Sequence, residues 1–200
     1  VVFSRQVSSR GAQSIERCIQ SGCEVEEIPP ELMDRIAGTE NPQGIIAVMP
    51  DLSPEIPASV DFAIIADGIR DPGNLGTLLR TSAAAGAQIL FLTTGSADPF
   101  SPKVLRSGMG AHFRLPILTA SWDYIYAQCM NNSPELQFFL AEAASGTPYW
   151  KADLKGPLAL IIGGEAAGAS ALTQSQVTQK LTIPMPGHFD ELEDAHRAAQ

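Results

Sequence analysis

Residues 62–80 read FAIIADGIRDPGNLGTLLR, and this stretch decides the fold. Its first five residues form a continuous apolar run, which indicates a strand buried on both faces. A Pro72–Gly73 turn follows. A helix is then predicted from Leu75 to Ala85, with Gly86 at its end. A buried strand joined by a short turn to a helix is typical of the βα units that build parallel sheets.

The same alternation of strands and helices continues along the chain. Further strands are predicted at 88–93, 136–141, 158–162 and 181–184, and further helices at 102–109, 122–129, 172–179 and 190–199. The pattern predicts an α/β fold with a mostly parallel sheet and helices on both faces. Ligands of such sheets bind at the carboxyl ends of the strands. The loops that follow the strands are therefore the candidate sites.

Prolines divide the chain into two parts. Pro50, Pro54 and Pro57 fall within eight residues and predict an extended linker over residues 51–60. Residues 1–50 contain predicted helices at 11–22 and 30–37 and strands at 23–28 and 44–49, which is too little to bury a large core. We therefore predict part of a domain at 1–50 and a second domain at 61–200.

Composition limits the function classes. The 200 residues are 44% hydrophobic and 18% charged, as is ordinary for a globular protein, and the net charge of −9 argues against coating nucleic acid by bulk charge. Three cysteines, an odd number, argue against a disulfide framework, so reduced and mostly buried thiols are expected. No apolar run reaches the roughly 18–20 residues of a membrane span. No basic-then-apolar leader is present, and we expect a cytoplasmic or organelle-matrix location.

The loop after the first strand carries Asn74 and Arg80. Asn74 is placed where it can cap the following helix, and Arg80 lies on the first half of that helix. A dinucleotide-binding fingerprint is excluded because Gly73-x-x-Gly76 lacks the first glycine of Gly-x-Gly-x-x-Gly. A simple capped helix with a surface arginine is the alternative interpretation.

Two later loops also follow apolar strands. Residues 161–170 read IIGGEAAGAS; Gly163 and Gly168 have the spacing of a phosphate loop, but Ala169 stands where that loop needs lysine. Residues 181–187 read LTIPMPG, and the two prolines leave the backbone groups of Ile183 and Met185 open to a ligand. The alternative for this third loop is a strand that ends in a turn.

Taken together, these loops resemble a known family. Asn74-x-Gly76-x-x-x-Arg80, Gly163-x-Glu165-x-x-Gly168 and Ile183–Pro184–Met185 are similar, in this order, to the three motifs of the SpoU ribose 2′-O-methyltransferases of the SPOUT superfamily. A fourth block, SPKVLRSGMGAHFRLP at 101–116, also matches, and the resemblance covers about residues 58–188. Residues 24–49 resemble the tail of the L30e-like RNA-binding domain that often precedes this catalytic domain.

The resemblance implies a C-terminal trefoil knot that holds S-adenosylmethionine, and a homodimer with the RNA site across its interface. Arg80 would act on the ribose 2′-hydroxyl, with Asn74 and Glu165 orienting the site. No metal is expected. The implied cofactor contacts are Thr93, Gly95, Gly163, Ile183, Met185 and Leu192, and the expected RNA contacts are Arg70, Arg106 and Arg114.

One departure affects the functional prediction. The third motif of the family continues with Ser-Leu-Asn, where this chain has Glu191, Leu192 and Glu193. The leading hypothesis is methyl transfer from S-adenosylmethionine to a ribose 2′-hydroxyl in structured RNA, with rRNA favoured over tRNA. The alternative is a catalytically impaired or silent RNA-binding or ribosome-assembly protein of the same fold. A small-molecule α/β enzyme, which the acidic composition favours, would require all four blocks to match by chance.

Overall fold

The computed structural model describes residues 1–5, 7–39, 41–50, 55–143, 145–165 and 168–184, and the chain divides into two compact units between residues 53 and 54. The strands of the first unit are β1 (Val2–Phe3), β2 (Glu26–Glu27) and β3 (Ile45–Ile46), and its helices are α1 (Ser9–Gln20) and α2 (Pro30–Ala37). The second unit contains β4 (Phe62–Asp67), α3 (Pro72–Ala85), β5 (Ile89–Thr93), α4 (Pro102–Ser107), β6 (Ile117–Ala120), α5 (Trp122–Asn132), β7 (Gln137–Ala141), β8 (Thr147–Pro148), β9 (Leu158–Gly163), α6 (Ala171–Gln174) and β10 (Gln179–Thr182).

The first unit is a small sheet with two helices. β1 lies between β2, to which it runs parallel, and β3, to which it runs antiparallel. Ser8 caps α1, because its hydroxyl accepts a hydrogen bond of 3.1 Å from the N–H of Gly11. Few residues are buried here, among them Ile15, Ile28 and Met33. Assignment of this unit to an L30e-like domain stays a prediction.

The second unit is built on a seven-stranded sheet of order β6-β5-β4-β9-β7-β10-β8, in which every neighbouring pair is parallel. The predicted parallel α/β sheet is therefore confirmed. β4 is the third strand in this order, with β5 on one side and β9 on the other. Ile64 is opposite Leu90 of β5 and Leu160 of β9. The direction in which successive strands are added reverses beside β4, and in open parallel sheets such a reversal opens a ligand crevice.

Each face of the sheet packs against helices. On one face, α5 contributes Trp122, Ile125 and Cys129 to a cluster with Ile65 and Phe91 of the central strands. On the other face, Leu75 and Leu79 of α3 and Val104 of α4 pack over Ile64 and Leu90. Alternate residues of β4 and β5 thus point into different cores, which explains their unbroken apolar runs.

Several element predictions need correction. The strands predicted at 23–28 and 44–49 shorten to Glu26–Glu27 and Ile45–Ile46, and strand β6 was not predicted. The helix predicted at 172–179 is wrong, because α6 ends at Gln174 and Gln179 already belongs to β10. Pairing with β7 explains the change: the N–H of Thr178 donates to the carbonyl of Phe138 at 2.8 Å and its hydroxyl accepts from the N–H of Phe138 at 3.0 Å. The final strand, predicted at 181–184, starts at Gln179 and ends at Thr182. The terminal helix predicted at 190–199 and the knot lie outside the described residues.

The second half of the predicted linker packs against the second unit. Val60 is buried, and its N–H donates to the Ser133 hydroxyl at 2.9 Å. The side-chain amide of Asn132 donates to the carbonyl of Pro57. Residues 51–54 lie outside the described part, and the domain boundary stays a prediction.

The cysteines differ more than the sequence predicts. Cys129 is buried, but Cys18 is half-buried and Cys23 is exposed. Burial raises the pKa of the Cys129 thiol to about 12, so it stays protonated at neutral pH and is a poor nucleophile. No helix in the described part of the chain is long and apolar enough to cross a bilayer.

Candidate active site

A pocket of about 310 Å³ lies at the carboxyl ends of β4, β5 and β9, beside the reversal in strand order. We call it the polar pocket. Its lining residues are Asp67, Gly68, Arg70, Thr93, Thr94, Gly95, Gly164, Glu165, Gly168 and Ser170. Four residues singled out from the sequence (Arg70, Thr93, Gly95 and Glu165) therefore meet in one place.

Asp67, the last residue of β4, organises this pocket and was missed by sequence reasoning. Its side chain is only 6% exposed. One carboxylate oxygen accepts from the Thr93 hydroxyl at 2.8 Å, and the other accepts from the Ser170 N–H at 2.8 Å and the Thr173 hydroxyl at 2.7 Å. Among the described residues no cation pairs with it, so these three donors satisfy a buried carboxylate. The sequence signal is a lone carboxylate that ends an apolar strand.

Thr93 links the ends of two neighbouring strands. Its hydroxyl donates to Asp67 and accepts from the N–H of Gly68 at 3.0 Å. The side chain is buried and occupied by these bonds. A cofactor contact at Thr93 is therefore expected from its backbone rather than from its hydroxyl.

Asn74 does not cap α3, contrary to the prediction. Asp71 is the N-cap: its carboxylate accepts from the N–H of Asn74 at 2.9 Å, and Pro72 starts the helix. This bond from Asn74, with the nearby Lys103 ammonium 3.6 Å away, lowers the pKa of Asp71. The side-chain amide of Asn74 is left to donate to the carboxylate of Glu165, a residue 91 positions away.

The glycines of the second loop serve protein packing. A Cβ at Gly163 would lie 2.4 Å from the backbone nitrogen of Ala169, and one at Gly164 would lie 2.5 Å from the carbonyl oxygen of Gly68. Any side chain at these positions would push apart the loops that carry Glu165 and Gly68. The close approach predicted here for a ligand is in this structure an approach between backbone segments.

The remaining arginines lie outside the polar pocket. Arg80 is exposed on α3, six residues and therefore about 9 Å along the helix axis beyond Asn74. Arg106 is exposed on α4, and Arg114 is exposed after the short 3-10 helix Ala111–Phe113. In the described parts of the chain none of the three forms an ion pair with a carboxylate.

Ile183 is separate from the polar pocket. It is 68% exposed and lines a second cavity on the sheet face formed by β7, β9 and β10. We call this cavity the apolar groove; Phe62, Phe139, Leu160, Ile162 and Leu181 also line it. Met185, Leu192, Glu191 and Glu193 lie outside the described residues, so their predicted roles stay predictions.

The model of the SpoU rRNA methylase family matches residues 61–193, about two thirds of the chain. The chain belongs to this family. It is 31% identical over 183 residues to the Bacillus subtilis 23S rRNA (guanosine(2553)-2′-O)-methyltransferase RlmP, covering 90% of this chain and 72% of that protein. The human rRNA methyltransferase 3, mitochondrial, is 44% identical over 93 residues, which are 42% of this chain and 22% of the human protein.

Solved structures agree with this assignment. The SpoU methyltransferase AviRb from Streptomyces viridochromogenes in complex with AdoMet is 25% identical and superposes with a TM-score of 0.79, over 94% of this chain and 74% of that one. An AdoMet-bound rRNA methyltransferase from Sinorhizobium meliloti is 29% identical with a TM-score of 0.73, over 94% and 72% of the two chains. The predicted SPOUT fold is confirmed, and S-adenosylmethionine is the methyl donor of the family.

The polar pocket suits this cofactor chemically. S-adenosylmethionine carries a positively charged sulfur, and the pocket offers the exposed carboxylate of Glu165 beside one guanidinium, Arg70. Asp67 adds only its negative charge, because its oxygens already accept from protein donors. Gly95 adds open backbone, since a Cβ there would meet no atom within 4 Å. The donor set therefore fits a small cationic, hydroxyl-bearing ligand.

Proposed function

We propose that this chain methylates a ribose 2′-hydroxyl in ribosomal RNA, with the polar pocket and the exposed face of α3 forming its active site. A relative is named as a 23S rRNA 2′-O-methyltransferase, and a structurally similar SpoU methyltransferase is described in complex with AdoMet. The observation that carries the proposal is the hydrogen bond between Asn74 and Glu165, because it joins two motifs at a pocket that suits the methyl donor.

The chain's own residues have separable roles in the proposed reaction. The cofactor supplies an already activated methyl group when bound, held by the backbone around Thr93, Gly95 and Gly163. Glu165 and Asn74 hold each other and thereby fix the start of α3 against the second loop. An arginine side chain is a poor general base, because a guanidinium is too weak an acid to give up its proton in a protein. We therefore assign Arg80 to stabilising the negative charge that develops on the 2′-oxygen or to holding a neighbouring RNA phosphate, and not to acting as a base.

The proposal also covers the oligomeric state of the chain, the class of RNA and the location in the cell. Arg80 lies outside the polar pocket, which is consistent with an RNA site completed by a second copy of the chain in a homodimer. We propose rRNA over tRNA because relatives with extensive overlap are named as rRNA enzymes. A cytoplasmic or organelle-matrix location is proposed with it.

The test is methyl transfer to rRNA by the Arg80→Ala variant. We expect turnover to fall by about 10²–10³-fold, the usual effect of losing a group that stabilises transition-state charge, while S-adenosylmethionine affinity measured by calorimetry changes little. Lys155→Ala is the control, since this exposed cation lies before β9, at the amino ends of the strands and therefore on the side of the sheet away from the polar pocket. Near wild-type turnover of Arg80→Ala would remove Arg80 from the mechanism.

The catalytically silent alternative rests on Glu191 and Glu193, which replace polar residues of the family motif. Mass mapping of 2′-O-methyl groups in rRNA and tRNA from cells with and without the protein distinguishes the two functions. A methyl group that disappears with the protein supports the enzyme and names the nucleotide. Unchanged methylation together with RNA binding supports the silent protein.

A further inference from the structure

Large apolar side chains point into solvent around the end of α4. Met109 is 69% exposed, Phe113 63% and Leu105 42%. The exposed Arg106 and Arg114 lie in the same segment, each directly after one of these apolar residues. We call these five side chains the 105–114 surface. A group of exposed apolar residues in one short segment marks an interaction site more often than single exposed ones do.

Met109 has a strained backbone conformation. Its φ is +48°, and among the described residues no other non-glycine has a positive φ. The N–H of Met109 donates to the carbonyl of Arg106 at 3.2 Å, and Gly110 follows with φ +81°. A left-handed turn is easiest for glycine, so a methionine there retains strain that a purely structural turn would not need.

Buried contacts hold the segment rigid below the exposed side chains. The Nε2 atom of His112 lies 2.7 Å from the carbonyl oxygen of Pro99, and its ring packs against Phe100. A Cβ at Gly108 would lie 2.7 Å from the His112 ring. The ring of Phe113 lies beside Gly110, 3.8 Å from where a Cβ would be. The exposed ring of Phe113 is therefore held in position by the buried contacts beneath it.

The charge of this segment differs from that of the whole chain. Residues 99–122 contain Lys103, Arg106 and Arg114 but no Asp or Glu, in a chain of net charge −9. Cations interleaved with exposed flat or polarisable side chains are the features that bind single-stranded nucleic acid, through phosphate contacts and base stacking.

The 105–114 surface is attached to the start of α3. Ser107 packs so closely on Gly76 that a Cβ there would lie 1.8 Å from its hydroxyl oxygen. The same hydroxyl oxygen lies 3.3 Å from the carbonyl oxygen of Pro72, while its shortest acceptor is the carbonyl of Lys103 in its own helix at 2.9 Å. An RNA strand on the 105–114 surface would therefore lie next to the helix that carries Asn74 and Arg80.

We propose that Phe113 and Met109 stack on the base of an unpaired nucleotide next to the methylated ribose, while Arg106 and Arg114 hold its phosphates. The proposal rests on the proposed function and refines its substrate to RNA that is single-stranded at the target. Duplex RNA does not offer a free base face to these side chains.

The test is fluorescence anisotropy with a labelled single-stranded RNA of about 12 nucleotides, a length within the range of such sites, and with the same strand in a duplex. We expect Phe113→Ala to raise the Kd for the single strand about ten-fold or more and to change duplex binding little. Phe113→Trp should restore single-strand binding. Tyr124→Ala on α5, also exposed, is the matched aromatic control.

Met109→Gly separates binding from folding. Glycine relieves the strain at φ +48°, so thermal stability should stay equal or rise while single-strand affinity falls several-fold. Equal losses for single strand and duplex, or no loss in either variant, would overturn the stacking proposal. So would dissociation of a dimer by Phe113→Ala in sedimentation, since the 105–114 surface would then be an interface between copies.

The stacking proposal and the proposed function can be rejected independently of each other. Loss of single-strand binding in Phe113→Ala, with no methyl transfer by the wild-type chain, would keep the stacking surface and reject the proposed function. Unchanged single-strand binding in Phe113→Ala, together with methyl transfer by the wild-type chain, would keep the proposed function and reject the stacking surface.

Discussion

In the polar pocket the carboxylate of Asp67 is buried and has three hydrogen-bond donors, whereas on the 105–114 surface the guanidinium groups of Arg106 and Arg114 face solvent. The pocket is a satisfied network in which each group depends on the others. The 105–114 surface has exposed guanidinium groups that are available to bind a ligand. Substitutions should therefore act cooperatively on the pocket and incrementally on the surface.

The largest effect is expected for Asp67→Asn. The amide can accept at only one atom. If its oxygen faces Ser170, its NH2 faces the Thr93 hydroxyl, which then loses its acceptor, and if it is turned the other way its NH2 faces the N–H of Ser170. We expect the free energy of unfolding to fall by about 2–3 kcal/mol, the cost of leaving a buried polar group unsatisfied, and S-adenosylmethionine affinity to fall with it. Urea unfolding and calorimetry measure the two effects.

Asp61→Asn is the matched control, because Asp61 is exposed and precedes the opposite end of β4. If both variants unfold at the same urea concentration, the Asp67 network does not stabilise the pocket. If Asp67→Asn loses stability but binds the cofactor normally, the network supports the fold without shaping the site.

An intermediate, graded effect is expected for Arg106→Ala and Arg114→Ala. Each lost phosphate contact should reduce the slope of log K against log salt for single-stranded RNA by about 0.7. In the double variant the slope should fall by about twice as much as in either single variant. Arg106→Lys keeps the charge and should keep the slope. A slope that is unchanged in the double variant would show that these arginines do not contact phosphate.

The smallest effect is expected for Asp71→Ala, at the junction of the two regions. Asp71 caps α3 and also pairs with Lys103 of α4, but it is exposed to solvent. We expect a small fall in Tm at neutral pH. Because the folded-state pKa of Asp71 lies below its ordinary value of 3.8, its contribution is present above that value and is lost as the pH falls through the folded-state pKa.

Thermal melts of the wild type and Asp71→Ala across pH 2–7 measure this difference. The gap between the two Tm values should be greatest near neutral pH and should shrink in acid. A gap that grows in acid would mean that the carboxylate is not held by the Asn74 N–H and Lys103.

Much of the second unit could be predicted from its apolar runs. Strand β4 and the final residue of helix α3 are placed within a residue or so of the prediction, because a continuous apolar run and a glycine stop are local signals. The end of the short helix α6 could not be predicted, since the helix stops at Gln174, shortly before Thr178 pairs with Phe138, forty residues away. Asn74 was misplaced as a cap for a similar reason: a cap can be offered by either of two nearby polar residues, and only the backbone selects Asp71.

The sequence alone therefore determined the α/β class, the family and the loops that contain the site, because these depend on local periodicity and on motifs in order. The tertiary structure decided which groups meet. Asp67 finds its donors in Ser170 and Thr173, 103 and 106 residues later, and Asn74 finds Glu165 across 91 residues. Only the register of β4 between β5 and β9 brings these groups together. Once the carboxylate is buried, its need for donors makes that arrangement specific.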